Sequence, residues 1–156
     1  MLAAVAGSGC DARPPAPTFD YTLLGGARGS TEALRGKVLL VNFWATSCVT
    51  CVKEMPALVA THHKYRAHGL ETLAVAMRHD PPAAVADFAQ RRGLPFGVVI
   101  DNTGAIAEVF RDLQATPTAY LIDKRGAIAK RYVGAPDFTA LHALVERLLA
   151  ENPAPA

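Results

Sequence analysis

The run Val38 to Trp44, VLLVNFW, constrains the fold more than any other segment of the chain. It is continuous rather than alternating, rich in β-branched and aromatic residues, preceded by Gly36, and too short for an ordinary helix. That is the pattern of a central strand buried on both faces. Such a strand obliges the rest of the chain to supply a covering layer on each side of the sheet. At 156 residues, 51% hydrophobic and 19% charged, the chain has material for one such domain, and a disordered polymer is excluded. The apolar half is inflated by 29 alanines, so the core must rest on Val, Leu, Ile, Phe and the single Trp44. Sixteen basic and 14 acidic residues give a net charge of +2, with no more than two adjacent Lys or Arg anywhere, so no nucleic-acid partner is expected. No run of about 18 apolar residues would span a bilayer.

Around this strand the periodicity alternates between strand and helix. Val52, Met55, Val59 and His62 recur at helical spacing across Cys51 to His68, and Pro56 inside that pattern predicts a kink. Leu73 to Met77 reads as a second strand. Pro81 to Arg92 reads as a helix with Val85, Phe88 and Ala89 on one face and Gly93 at its end. Phe96 to Ile100 is a strand candidate, Ile106, Val109, Phe110 and Leu113 form a helical core stripe, and Thr118 to Ile122 is a further strand. The turn Asp123 to Gly126 leads into Ala127 to Val133 and is long enough only for antiparallel neighbours. Phe138, Leu141, Val145 and Leu148 mark the last helix. The expected fold class is α/β, with a mixed central sheet, helices on both faces and an N-terminal extension. Residues 1–17, with three prolines and no periodic face, read as a leader or flexible tether, 18–150 as the domain, and 151–156, with Pro153 and Pro155, as a frayed tail.

The chemistry most visible in the sequence is Cys48-Val49-Thr50-Cys51 where the buried strand gives way to a helix. Two cysteines three apart in a first helical turn can close a disulfide, and the helix N-terminus favours a thiolate on Cys48, with Cys51 one turn deeper. The same spacing is half of a tetrahedral zinc site, which needs two more ligands. There is no second cysteine pair, although His63 and His68 have a permissible spacing. The strand-to-helix context favours redox chemistry. Trp44 is expected in the core with a share in any substrate surface. The group His62, His63 and His68 is expected on a solvated helix face. Gly25, Gly26 and Gly29 lack the Lys-Ser/Thr pair of a phosphate loop.

The segment NFWATSCVTCVKEMP, Asn42 to Pro56, resembles the active-site segment of the TlpA/ResA-like branch of the thioredoxin superfamily. The preceding RGKVLLV, the later TPTAYLID with Thr116 and Pro117, and KRGAI at Lys124 to Ile128 fall in the matching order over residues 18–150. The resemblance implies a thioredoxin-like fold and a thiol-disulfide oxidoreductase whose redox-active pair is Cys48 and Cys51. It implies a cis Pro117 packed against that pair, with the Thr116 backbone pairing with the substrate chain. It further implies that Glu54 raises the thiol pKa values and accepts the proton of Cys51. The implied role is reduction of disulfides in exported proteins, as in cytochrome c or metal-site maturation. No cofactor and no metal are required, a membrane thiol donor of the CcdA/DsbD type resets the pair, and the protein is expected as a monomer. The chain departs from the pattern with Ser47 in place of a second Trp and Thr50 in place of Pro, so a more polar and open site is expected. Asn42 stands where thioredoxins bear a buried acid.

Cys10, after AVAGSG and before Asp11, resembles a bacterial lipoprotein cleavage site. This implies a lipid-modified Cys10 holding the domain at the inner membrane, in the periplasm or cell envelope. Two alternatives share the fold. A thiol peroxidase would oxidise Cys48 to a sulfenic acid, but Val41 and Ala45 occupy the places of the Pro and Thr of a PxxxTxxC motif. A copper carrier would use Cys48, Cys51 and a histidine, but relatives of that kind use CxxxC.

Overall fold

The computed structural model describes residues 12–153. Cys10 and the last three residues lie outside them. The strands are β1 (Asp20–Thr22), β2 (Arg28–Ser30), β3 (Val38–Trp44), β4 (Leu70–Ala76), β5 (Gly97–Ile100), β6 (Thr118–Ile122) and β7 (Ile128–Val133). The helices are α1 (Val49–Tyr65), α2 (Pro82–Arg92), α3 (Ala105–Val109) and α4 (Phe138–Ala150). Five strands form the main sheet in the order β5-β4-β3-β6-β7. β3, β4 and β5 are parallel, and β6 and β7 join antiparallel. Every residue of β3 is buried, as the continuous apolar run predicts.

Alternation along β3 sorts the core into two halves. Val38, Leu40 and Trp44 face a layer built from α1, α2 and α4, with Met55, Leu58, Val85, Leu141, Val145 and Leu148. Leu39, Val41 and Phe43 face the other side, where Phe19, Ile106, Phe110 and Tyr120 pack. The second face is thinly helical. The five-residue α3 covers part of it, and the small β1–β2 hairpin, which no periodicity announced, supplies Tyr21, with Phe19 just before it. Phe110 holds this half together, edge-on to Phe19 and Phe43 and tilted on Tyr120, with centroids 5.8, 5.1 and 4.6 Å away.

Two local readings are corrected. The stripe Ile106-Val109-Phe110-Leu113 is not one helical face: α3 stops at Val109, which is 43% exposed, and Phe110 reaches the core from an irregular segment. Gly104 at φ 77° starts this helix, and the buried Asp101 carboxylate accepts from the N–H groups of Ile106 and Ala107 at 3.1 and 2.9 Å. The strand read as Leu73 to Met77 runs Leu70–Ala76, because Gly69 ends the preceding turn in a left-handed conformation and admits Leu70 to the sheet. Helix α1 spans Val49–Tyr65 with Pro56 inside it.

Residues 12–17, placed in the tether by their composition, lie against the domain. Ala16 N–H donates to Gly126 C=O, Ile128 N–H donates to Pro14 C=O, and Arg13 donates to both Asp123 and Glu151 at 2.8–2.9 Å. Glu151 and the backbone before it are held from the other side by Lys124 Nζ, which donates to the carbonyls of Leu149 and Glu151. The extension and the end of α4 are thereby fastened to the β6–β7 turn.

The unequal burial of neighbouring stripe positions is testable by urea unfolding of the oxidised protein. Phe110→Ala should cost about 3–5 kcal/mol, whereas Val109→Ala should stay within about 0.5 kcal/mol of wild type.

Candidate active site

Five connections meet at one end of the sheet: those that follow β3, β4 and β5, the segment that enters β6, and the one that leaves β7. In an open α/β sheet this end, beyond the carboxyl ends of the parallel strands, is where sites form. β3 delivers the chain into a short turn closed by Cys48 N–H donating to Ala45 C=O at 3.1 Å. Cys48 then caps α1, its Sγ accepting from Cys51 N–H at 3.2 Å, and the two cysteines are joined as a disulfide with Cα atoms 5.2 Å apart. The sulfurs differ in access. Cys48 is half-buried, and Cys51 is wholly buried in the α1-side core. A thiol at the N-cap, near unpaired N–H groups and the positive end of the helix, is favoured as thiolate.

Glu54 follows Cys51 by three residues, hence on the same helix face. It is only 5% exposed, and its Oε2 has no hydrogen-bond partner among the described residues. Burial without a compensating cation pushes its pKa from the ordinary 4.5 to about 7. Trp44 lies under the site, fully buried with its ring 5.1 Å from Phe88. It belongs to the core and offers no surface to a substrate, which corrects the share in recognition expected of it. The Thr116–Pro117 peptide is cis. The turn around it is closed by Thr118 Oγ1 donating to Ala115 C=O at 2.5 Å, and Pro117 C=O accepts from Gly134 N–H at 2.8 Å. Val49 beside the disulfide and Val133 beside that turn are 67% and 60% exposed.

The chain belongs to the Redoxin family, whose model matches residues 12–145. Within it, the chain is similar to the thiol-disulfide oxidoreductase ResA of Geobacillus kaustophilus, 36% identical over 119 residues, 76% of this chain and 67% of that protein. It is also similar to ResA of Bacillus anthracis, 35% identical over 119 residues, 76% of this chain and 68% of that protein. Among solved structures, a candidate thioredoxin from Neisseria meningitidis superposes with a TM-score of 0.83 at 38% identity, over 91% of this chain and 95% of that one. A thiol:disulfide interchange protein from Chlorobium tepidum does so with 0.81 at 26%, over 90% and 100%. The fold is thioredoxin-like, and the protein is a thiol-disulfide oxidoreductase with a CxxC pair.

His62, His63 and His68 lie in the later turns of α1 and just beyond it, away from the cysteines at its start. His62, expected on a solvated face, is 5% exposed: its Nδ1 lies 3.2 Å from Thr72 Oγ1, and its ring meets Phe96 edge-on. The helical stripe that also contained Met55 and Val59 turns it inward. Among the described residues no group of three or more His, Cys, Asp or Glu is arranged to hold a metal ion. Asp80 was not singled out from the sequence. It is 3% exposed and binds Thr46, two residues before Cys48, through both carboxylate oxygens. An aspartate in a loop ahead of Pro81 and Pro82 carries no signal that distinguishes this role from ordinary turn chemistry.

The raised pKa of Glu54 has a stability consequence. Between about pH 4.5 and about pH 7 the folded protein retains a proton that the unfolded chain has released. The stabilisation is complete below that window and is lost as pH rises through it. Urea unfolding of oxidised wild type and Glu54→Gln across this range should show the wild type losing up to about 3 kcal/mol relative to the variant. Parallel stability curves would refute a raised Glu54 pKa.

Proposed function

We propose that the protein reduces disulfides of exported proteins, in the manner of cytochrome c or metal-site maturation, with Cys48 as nucleophile, Cys51 as resolving thiol and Glu54 as proton acceptor. The observation that carries this reading is the arrangement of one accessible sulfur at a helix N-terminus, a second that is wholly buried, and a buried carboxylic acid with a pKa of about 7 one turn beyond. The Cys48 thiolate attacks one sulfur of the substrate disulfide. That S–S bond breaks, and the second substrate sulfur leaves as thiolate and takes a proton. Cys51 passes its proton to the Glu54 carboxylate and attacks Cys48 Sγ, breaking the mixed disulfide and releasing the first substrate sulfur, which is protonated in turn. Two electrons have moved to the substrate, and the Cys48–Cys51 disulfide remains. An acid with a pKa near the working pH suits the proton transfer, because it accepts and later releases the proton at little cost.

Recognition falls to the rim of the site. The backbone at Thr116 pairs with the substrate chain beside Cys48, and the exposed Val49 and Val133 give an unfolded or extended polypeptide an apolar seat. A membrane thiol donor of the CcdA/DsbD type returns the pair to the dithiol, and no cofactor takes part. The working place is the periplasm or cell envelope, with the domain held at the inner membrane through a lipid on Cys10. No helix of the described residues is long and apolar enough to cross a membrane. The reading takes the protein to act as a monomer.

Equilibration of the Cys48–Cys51 pair in graded thiol buffers tests the direction of electron flow. A potential at or below about −220 mV is expected, and one near about −120 mV would make the protein an oxidant. In the reduced protein, Glu54→Gln should move the pH midpoint of thiol alkylation downward. Superposable profiles would remove Glu54 from the mechanism.

A further inference from the structure

We propose that Asp80 is a positioning residue for the thiol-disulfide chemistry: it locks the turn that carries Cys48 and keeps a fixed negative charge beside it, holding back formation of the Cys48 thiolate. Asp80 lies in the connection between β4 and α2, only 3% exposed, with its own N–H donating to Met77 C=O at 2.9 Å. Its Oδ2 accepts from Thr46 N–H and its Oδ1 from the Thr46 hydroxyl, both at 2.6 Å. These are short, charge-assisted bonds, and together they hold both the backbone and the side chain of residue 46. Thr46 sits inside the turn that Cys48 N–H closes on Ala45 C=O. The clamp therefore fixes, from outside α1, the same short loop that sets where Cys48 Sγ meets the helix N-terminus.

The charge acts over the same path. Only Ser47 separates Thr46 from Cys48, so their Cα atoms lie at most about 7 Å apart. A carboxylate about 10 Å from the sulfur, at an effective dielectric constant of about 20, raises a thiol pKa by about one unit before salt screening. Asp80 forms no ion pair among the described residues. Other charged or titratable groups at this end are Glu54 and Lys53 on α1, Arg78 and His79 on the loop of Asp80 itself, the buried Asp101 after β5, and Glu108 and Arg111 around the end of α3. Lys53, Arg78 and His79 are exposed. The stem of Arg78 is laid across Gly104, where a Cβ would come within 2.9 Å of its Cδ. Arg78 is thereby directed to the α3 side of the loop, and the Asp80 charge is left uncompensated.

The decisive variant is Asp80→Asn, which preserves both contacts, the amide oxygen accepting from Thr46 N–H and the amide nitrogen donating to the Thr46 hydroxyl, while removing the charge. In the reduced protein the pH midpoint of Cys48 alkylation should fall by about half a unit to one unit, and the pair should become more oxidising in thiol buffers. Asp80→Ser, neutral but still able to accept from Thr46 N–H, answers the same question if the asparagine variant does not fold. Thr46→Val breaks the hydroxyl contact and keeps the charge, so it should slow disulfide exchange without lowering the midpoint. An unchanged midpoint in a folded neutral variant, or an equal fall in Thr46→Val, overturns the proposal.

Discussion

Burial of β3 on both faces is the constraint to which the rest of the molecule answers. A strand with no solvent-facing side cannot sit at an edge and cannot be covered by one layer. Parallel β4 and antiparallel β6 flank it, α1, α2 and α4 cover one face, and α3 with the N-terminal hairpin covers the other. The strand is also what makes the site possible. Because Val38–Trp44 is buried and central, the residues that follow emerge at a fixed point, and Cys48 ends a turn of only four residues, Ala45 to Cys48, before α1 begins. The cysteine pair is thus attached to the most completely buried strand of the sheet.

That burial coexists with a polar interior. Asn42 lies on the α1 side of β3 between Leu40 and Trp44, and both of its side-chain polar atoms, together with Trp44 Nε1 and Glu54 Oε2, are buried without partners among the described residues. Each such group costs about 1–3 kcal/mol relative to a satisfied one, so an apolar core would be more stable. The unpaired Trp44 Nε1 and Glu54 Oε2 belong to residues at the β3 end and on α1, the two elements that hold Cys51 in the core. A carboxyl group solvated by neighbours would titrate near 4.5 and could not hold a proton at neutral pH.

Much of this was legible in the sequence because it is written in patterns of short range. The continuous run 38–44, the helical spacing in 138–148 and the CxxC at a strand-to-helix boundary each specify a local structure with few alternatives. Periodicity failed where tertiary contacts override it. Phe110 enters the core from a segment that has left its helix, so the stripe through Val109 and Leu113 gave the right anchor and the wrong element. Residues 12–17 carry too many prolines to show a period, yet they pack through backbone bonds and one arginine, neither of which leaves an apolar trace. Asp80 was invisible for a related reason: its partner is 34 residues away and the contact is polar, so only the fold reveals it.

The fastening of Arg13 to Asp123 and Glu151 also sets a polarity on the whole domain. Because β6 runs antiparallel to β3, with Leu39 opposite Ile122 and Phe43 opposite Thr118, the Asp123 turn lies at the far end of the strand from Cys48. Seven strand residues at about 3.3 Å each put the two ends about 20 Å apart. The polypeptide therefore enters the domain at its base while its disulfide stands at the summit. A domain's height thus separates residues 12–17 from the half-buried sulfur of Cys48, so the two ends of the sheet present different faces of the molecule.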